Sequence, residues 1–474
     1  MPPWYRFMGQ GFNEIPLGLC CLSSSLKQDG HTVGILNCDI SARFAAGPEK
    51  IFTLYGRYKK EFERFGDPIW GWIRNEIESF APDYLGINAK TATVKSALKV
   101  ADIAKSVDPK ICVVAGGSHA TLMPERMAAM PNIDYVVRGE GERTLSALIA
   151  ARERKALPGI PGLVYSDNGA VIDGGPRELI RDIDALPFPD RESLLHREQY
   201  GRYGFGIIIT SRGCPFQCSY CAAKKMWPGP VRYRSPRHVI EEIKHVKSAF
   251  GTRYFNFRDD TFTLRKERVL EICGRIREEK LGIVWRCDTR ADTLDEEVVR
   301  TMRESGCVQA SVGIESGSDR ILKLVKKGET TRDIERGIRL LRKYSIPVSA
   351  FIMVGFPGET KDEALSTLRF AEALDVDTLV LSVVTPYPGT EIYELFRQHG
   401  IVKDVEDYSD FYHHSPMMGL TGLEGDEYRE FLSQYYAQVR EYNRAFRRLF
   451  RRFIFIFKSS PMGAMERVMD YVRG

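Results

Sequence analysis

The sequence predicts an α/β protein: a Rossmann-like parallel sheet, then a partial (β/α)6 barrel, then a helical C-terminal tail. Three observations carry this. Apolar strand segments alternate with amphipathic helix segments over residues 15–155, a pattern that builds a parallel sheet with helices on both faces. Six further strand–helix units follow one another from 206 to 400, and consecutive units of this kind curl into a barrel. Between the tracts, 156–205 holds Pro158, Pro161, Pro176, Pro187 and Pro189 among several glycines, the composition of a connector. The expected domains are therefore 1–155, the connector 156–205, the barrel 206–400 and the tail 401–474.

In the first tract, strands are expected at Thr32–Asn37, Tyr84–Asn88, Ile111–Ala115 and Tyr135–Val137. Helices are expected near Leu17–Lys27, Val94–Ser106 and Glu142–Arg152. Ligands of such sheets bind at the carboxyl ends of the strands. Gly116-Gly117-Ser118-His119 follows the third strand at such an end, and Arg138-Gly139-Glu140-Gly141-Glu142 follows the fourth. Adjacent glycines admit a close backbone approach to a ligand, an ordinary turn being the alternative. The connector holds a short hairpin around 162–172. Barrel strands are expected at Gly206–Thr210, Tyr254–Arg258, Ile283–Asp288, Val308–Ile314, Val348–Val354 and Thr378–Val384. Ser235-Pro236 and Thr360-Lys361-Asp362-Glu363 read as helix starts.

At 474 residues the chain has room for two or three domains. Hydrophobic residues at 43% and charged residues at 28% exclude a disordered chain, a collagen-like fibre and a coiled-coil rod. The longest uncharged apolar runs fall far short of the ~20 residues of a spanning helix. Met1-Pro2-Pro3-Trp4, followed by Arg6, lacks the basic-then-apolar order of a signal peptide. A cytoplasmic location is therefore expected. Net charge is +5, yet Arg440–Lys458 alone carries +6 and leaves the remainder near −1. A nucleic-acid-binding body shows a broad basic face, so nucleic acid is not an expected partner.

Ten cysteines without a secretory signal argue against a disulfide framework. Cys20, Cys21, Cys38, Cys112, Cys273, Cys287 and Cys307 are scattered, and most sit among apolar neighbours and read as buried thiols. The other three stand in Ser211-Arg212-Gly213-Cys214-Pro215-Phe216-Gln217-Cys218-Ser219-Tyr220-Cys221, directly after the first barrel strand. Barrel chemistry sits at the carboxyl ends of strands, and three thiolates this close suit a metal or a cluster. Structural zinc takes four ligands, and no fourth Cys or His follows at short spacing. A four-iron cluster on three thiolates leaves one iron open for a ligand.

This C-x3-C-x2-C string, its position and the six units resemble the radical S-adenosylmethionine (SAM) superfamily over 206–400. The resemblance implies a [4Fe–4S] cluster whose open iron chelates the amino and carboxylate groups of SAM. One-electron cleavage of the sulfonium C–S bond then gives a 5′-deoxyadenosyl radical that takes hydrogen from the substrate. It makes Cys214, Cys218 and Cys221 the cluster ligands and Tyr220 the aromatic packed on adenine. Arg258-Asp259-Asp260-Thr261-Phe262 stands where the family usually carries Gly-Gly-Glu for the SAM amino group. Asp259 and Asp260 are then the acceptors, in a variant that resembles the cobalamin-associated branch. Glu315, in Gly313-Ile314-Glu315-Ser316-Gly317, matches a ribose-hydroxyl acceptor, and Gly355, in Gly355-Phe356-Pro357-Gly358-Glu359, the adenine-side loop. Arg290 matches either the partner of the SAM carboxylate or a surface cap.

The first tract resembles the cobalamin-binding domains that precede such barrels, through Pro16-Leu17-Gly18-Leu19, Gly30-His31-Thr32-Val33 and the two glycine loops. Gly116, Gly117, Ser118, His119, Gly139 and Glu140 are the implied cobalamin contacts. Asp29-Gly30-His31-Thr32-Val33-Gly34 fits the D-x-H-x-x-G of cobalt-ligating histidines. It lies after a helix rather than after the first strand, so His31 is not expected to ligate. Relatives open with an apolar strand ending in Asn-Pro-Pro, whereas this chain opens at Met1-Pro2-Pro3. The first strand is thus expected to be missing, through a late start or a rearranged sheet.

The resemblance implies a cobalamin-dependent radical SAM enzyme that methylates an unactivated carbon, similar to class B methyltransferases. Oxidative cyclisation, as in anaerobic porphyrin ring closure, is the close alternative. A tRNA methylthiotransferase carries further cluster cysteines and a terminal β-barrel that this sequence does not match. A non-enzymatic cobalamin sensor would not need Asp259, Asp260 and Glu315. The implied partners are a small-molecule or lipid-like substrate and a one-electron reductant such as flavodoxin or ferredoxin. In the tail, Tyr442, Phe446, Leu449, Phe450, Phe453 and Phe457 recur at helical steps opposite Arg440, Arg444, Arg447, Arg448 and Arg451. Such a helix either contacts anionic lipid at the inner face of the membrane or packs on the barrel. His413 and His414, adjacent in sequence, would not face the same way on a helix and read as an exposed loop.

Overall fold

A computed structural model describes the chain apart from residues 9–13, 41–50, 152–153, 403–406, 416–422, 424, 446–447, 452–453 and 455–474. It forms two compact units. The first comprises Met1–Gly204, Ala222–Gly229 and Thr385–Ser415; the second comprises Phe205–Cys221, Pro230–Val384 and Pro416–Gly474.

The first unit is built on a sheet of β1 (Tyr84–Asn88), β2 (Cys112–Gly116), β3 (Tyr135–Val137), β4 (Leu163–Asp167) and β5 (Ala170–Asp173), in that spatial order. β1, β2 and β3 run parallel, while β4 and β5 add an antiparallel hairpin. That hairpin is the one expected in the connector. Val113, Val114 and Ala115 of β2 are all buried, as befits a parallel strand covered on both faces. On one face, helix Val94–Val107 presents Ala97, Ala101 and Ala104, small enough to let it lie close to Val113 and Ala115. Ile73 and Ile77 of helix Ile69–Phe80 complete this layer. On the other face, Leu148 of helix Gly141–Ala150 packs with Val114, Val137 and Tyr165.

The expected strand Thr32–Asn37 does not join this sheet. Its backbone pairs with the connector instead: the Ile35 amide donates to Ser193 O (2.7 Å) and the Ile35 carbonyl accepts from Leu195 N (2.9 Å). A single parallel bridge, Ile35 to Leu194, results. Met1 lies alongside, its ammonium donating to Leu36 O and its carbonyl accepting from Cys38 N (3.1 Å). Among the described residues β1 has one strand neighbour, β2. Helices Ile51–Arg64 and Ile69–Phe80 were not among the expected elements.

The second unit holds six parallel strands: β6 (Ile207–Ile208), β9 (Tyr254–Phe257), β10 (Val284–Thr289), β11 (Cys307–Glu315), β12 (Val348–Val354) and β13 (Thr378–Val383). Their spatial order is β13-β12-β11-β10-β9-β6, and in the chain a helix follows each of them. A separate antiparallel pair, β7 (Ser211–Arg212) and β8 (Arg232–Tyr233), flanks the cysteine loop. The expected helix starts are present: Ser235 accepts from His238 N with Pro236 in the first turn, and Thr360 and Glu363 form a reciprocal capping box.

Helix Gly425–Arg444 closes the β13 side, with Tyr428, Leu432, Tyr435 and Val439 buried. Asn443 acts there as a substitute strand neighbour. Its side-chain oxygen accepts from Leu379 N (2.9 Å) and its amide donates to Leu379 O (2.9 Å). In the basic segment, Arg448 stacks on Tyr442, 3.4 Å from the ring centroid. Arg448 and Arg451 pair with Asp375, and Arg451 also with Asp377. Phe446, Arg447, Phe453 and Phe457 lie outside the described residues. No helix among the described residues is long and apolar enough to cross a membrane.

Replacing Asn443 with Leu strips both partners from Leu379. A loss of about 1–3 kcal/mol is expected, read as a lower urea midpoint with an unchanged slope.

Candidate functional site

The carboxyl ends of the barrel strands gather most of the expected residues of the second unit. The site begins at β6. There the Asp259 carboxylate, buried after β9, accepts from Thr210 N (2.6 Å), Ser211 N (2.6 Å) and the Thr210 hydroxyl. Asp259 is thus occupied within the protein, which joins the ends of the first two barrel strands. Asp260 remains exposed. The surrounding chain pushes its carboxyl pKa up, and Asp259 and Asp288 add to that.

Gly213, at φ +106°, then turns the chain out of β7 into the cysteine loop. Cys214 and Cys218 are half-buried, Cys221 is exposed, and none of the three is in a disulfide. The Cys221 amide donates to Cys218 O (3.1 Å), and the Ser219 amide to Val325 O (2.9 Å). Burial pushes the Cys214 thiol up, reinforced by Asp260 and Cys218 and opposed by the Phe216 amide and Arg290. Tyr220 packs edge-on against Phe356, centroids 6.0 Å apart. Burial, then Glu315, Cys218 and Cys221, hold its hydroxyl well above its ordinary pKa.

Arg290, after β10, is 5% exposed, so it is no surface cap. Its guanidinium lies 3.6 Å from the centroid of Phe216, inside the cysteine loop. Asp292 accepts from Nε (3.0 Å) and Nη2 (2.8 Å). Glu315 ends β11 in the left-handed region, φ +61°, at a break in the β11–β12 register. Lys327 donates to its Oε1 (3.2 Å). Gly355, at φ +94°, follows β12; a Cβ there would stand 2.6 Å from the Tyr428 hydroxyl. Glu359 folds back beneath this loop, its Oε2 accepting from Gly355 N (2.7 Å) and Phe356 N (3.3 Å), while Oε1 has no hydrogen-bond partner. Burial raises its pKa to about 7.

Nothing in the linear spacing points to Lys327, Glu329, Phe216 or Tyr428. Glu359 carries a weak signal, an acidic residue four positions after a strand-end glycine.

In the first unit, the ends of β1, β2 and β3 bring together Asn88, the 116–119 loop and the 138–140 loop. Their glycines differ in cause. A Cβ on Gly117 (φ +95°) would stand 2.2 Å from Asn88 Oδ1 and 2.9 Å from Ala89 O, so packing alone demands glycine. Gly139 (φ +74°) faces open space. Glu140 is buried and accepts from Ile180 N (2.9 Å). His119 is buried against Tyr408, ring centroids 4.5 Å apart, and its Nε2 has no partner. Burial, with Arg126 nearby, lowers its pKa to about 4, so the ring is neutral. His413 and His414, in a turn rather than a helix, have rings 4.2 Å apart. Among the described residues no three His, Cys, Asp or Glu side chains converge on one ion position.

A family model described as Radical SAM superfamily matches residues 208–371, and one described as B12 binding domain matches 72–149. An uncharacterized methyltransferase of Pyrococcus horikoshii is 40% identical over 326 residues, 68% of this chain and 71% of that one. The chain belongs to the cobalamin-binding radical SAM family. An anaerobic magnesium-protoporphyrin IX monomethyl ester cyclase of Rubrivivax gelatinosus is 29% identical over 75% of this chain and 65% of its own length. The radical S-adenosylmethionine methyltransferase TsrM of Kitasatospora setae, solved with cobalamin and a [4Fe–4S] cluster, shares the fold. Its TM-score is 0.65 at 20% identity, over 83% of this chain and 74% of that one.

Membership brings a [4Fe–4S] cluster, SAM and cobalamin as the cofactors, and the residues fit them. A cubane takes one thiolate per iron, so three cysteines spread along one loop suit it better than three converging on a point. Two buried cations, Arg290 and Lys327, stand beside the loop. In the first unit, the open side of Gly139 and the unpartnered Nε2 of His119 are the features that packing leaves unexplained.

Asp259→Ala should cost about 3 kcal/mol, since it leaves two amides and a hydroxyl unsatisfied. Asp260→Ala should stay within about 0.5 kcal/mol. Thermal melting of the two variants checks both.

Glu359, with a folded pKa of about 7 against an ordinary 4.5, binds a proton in the native state that the unfolded chain releases. Its contribution is fully present below 4.5 and is lost as pH rises through about 7. Between pH 5 and pH 8 the stability difference between wild type and Glu359→Gln should therefore shift by a few kcal/mol in favour of the variant, measured by urea unfolding.

Proposed function

We propose that this chain methylates an unactivated carbon of a small-molecule substrate, using SAM, a [4Fe–4S] cluster and cobalamin. The observation that carries the reading is the gathering of the three-thiol loop with Tyr220, Asp260, Arg290, Glu315 and Gly355 at the carboxyl ends of one parallel barrel. When bound, the cluster and SAM supply hydrogen-atom abstraction and cobalamin supplies a methyl carrier.

The chain's own residues would hold and orient these groups. Cys214, Cys218 and Cys221 would bind the cluster, and Tyr220 with the Gly355 loop would pack against adenine. Asp260, the acid with solvent access, would accept from the SAM ammonium, while Asp259 keeps the strand ends in place. Glu315 would accept from the ribose, held by Lys327. Gly116, Ser118, His119 and Gly139 would meet cobalamin. Gly117 and Glu140 would shape that edge from behind. His31, whose amide donates to Leu26 O (3.0 Å) at a helix end, would leave cobalt alone. Phe356 and Tyr428 would keep water from the adenine side.

An external one-electron donor such as flavodoxin or ferredoxin completes the reaction. The basic segment serves packing in this reading, because Arg448 and Arg451 are spent on Asp375 and Asp377. Oxidative cyclisation is the second reading, favoured by the cyclase relative.

Anaerobic reconstitution of the wild type should give about four irons per chain and a broad brown absorption. Replacing Cys214, Cys218 and Cys221 together with Ala should abolish the absorption and all SAM cleavage; a variant that keeps a full cluster refutes the assignment. With substrate present, methyl transfer should release S-adenosylhomocysteine alongside 5′-deoxyadenosine. Release of 5′-deoxyadenosine alone would favour cyclisation.

A further inference from the structure

Residues 325–329, a stretch between the fourth and fifth barrel strands to which the resemblance assigns no role, touch the cysteine loop by two routes. The direct route is backbone: Val325 O accepts from Ser219 N, between Cys218 and Tyr220, at 2.9 Å. The other runs through charges. Glu329 Oε1 accepts from Asp292 N (3.0 Å), and Oε2 lies 3.4 Å from Arg290 Nη2. Asp292 grips the same guanidinium with both oxygens, which holds it over the Phe216 ring. Lys327 links the two ends, donating to Glu315 Oε1 (3.2 Å) and standing 3.4 Å from Glu329 Oε2. Lys326 and Gly328 adopt positive φ, +55° and +75°, so this turn has a fixed and uncommon backbone.

Arg290, Lys327 and Glu329 are each at most 5% exposed. Burying such charges contributes little stability even when they are paired. What the arrangement does supply is direction. A guanidinium gripped on one edge by two carboxylates cannot turn freely, and its central carbon lies over the Phe216 ring at 3.6 Å. A desolvated cation on an aromatic face is among the stronger contacts a loop can make.

We propose that Glu329 and Lys327 are positioning residues for the cysteine loop, acting through Arg290 on Phe216 so that the thiols of Cys214 and Cys218 keep their spacing. Arg290 is then a clamp on the loop. The inference rests on the reading of Cys214–Cys221 as the cluster loop.

The test uses reconstituted full-length protein challenged anaerobically with the iron chelator bathophenanthroline, with cluster absorption followed over time. The electron paramagnetic resonance signal of the reduced protein is recorded with SAM added. Glu329→Gln, Arg290→Lys and Phe216→Leu should each lose iron about tenfold faster than wild type, the effect of one desolvated cation–aromatic contact. Each should also broaden the resonance signal. Phe216→Tyr keeps the aromatic face and should match wild type in both readouts. The Glu329→Gln/Phe216→Leu double variant should lose iron no faster than either single one, because both remove the same contact.

Glu329→Gln disturbs a buried charge and can unfold the barrel, so Phe216→Leu, at a half-buried loop position, decides the matter. Iron retention equal to wild type in Phe216→Leu overturns the inference, as does a double variant whose loss rate multiplies the single effects. If wild type takes up no four-iron cluster, the functional reading itself fails and this inference falls with it.

Discussion

The buried carboxylate of Asp259 is the contact on which the placement of the cysteine loop depends. It collects two amides and a hydroxyl from Thr210 and Ser211, where β6 passes into β7. A carboxylate away from water needs several donors, and these two residues supply them in one backbone register only. The first and second barrel strands are thereby tied at their carboxyl ends, and the loop from Gly213 to Cys221 starts from a fixed point. One residue further on, Asp260 is free of that duty and keeps its access to solvent.

Departures from regular strand geometry gather at the same edge. Glu315 leaves β11 in the left-handed region where the register breaks, and Gly355 leaves β12 with a positive φ beneath Tyr428. Such conformations persist where surrounding contacts over-determine them. Lys327 does this for Glu315, and Glu359 does it for the Gly355 loop by accepting from two of its amides. The buried acid and base pairs thus act on backbone shape as much as on charge.

The two glycine loops of the first unit look alike in sequence and differ in physics. Gly117 is required because Asn88 and Ala89 crowd it, whereas Gly139 has room beside it. Glu140, which the resemblance groups with the cobalamin contacts, spends its carboxylate on Ile180 N of the connector. His119 stands apart as a buried, neutral ring with an unpartnered nitrogen. A shared motif therefore mixes residues that shape a ligand edge with residues available to meet a ligand.

Much of the barrel was legible in the sequence by itself. Strands that are apolar on both faces, such as Val348–Val354, and capping strings such as Thr360–Glu363 encode local structure within a few residues. The spacing of Cys214, Cys218 and Cys221 encodes their common loop in the same way. The tertiary structure alone decided what those patterns do across distance. Ile35 follows a strand pattern yet pairs with Leu194, because its amide donates to, and its carbonyl accepts from, the backbone that the fold brings alongside. Asp259 and Asp260 are adjacent and chemically identical; only burial separates the one that binds its own backbone from the one left open. Lys327 and Glu329 read as ordinary loop charges until folding places Glu315, Arg290 and Phe216 around them. Periodicity and caps act within one turn or strand, whereas desolvation and ion pairing depend on residues many positions away in the chain.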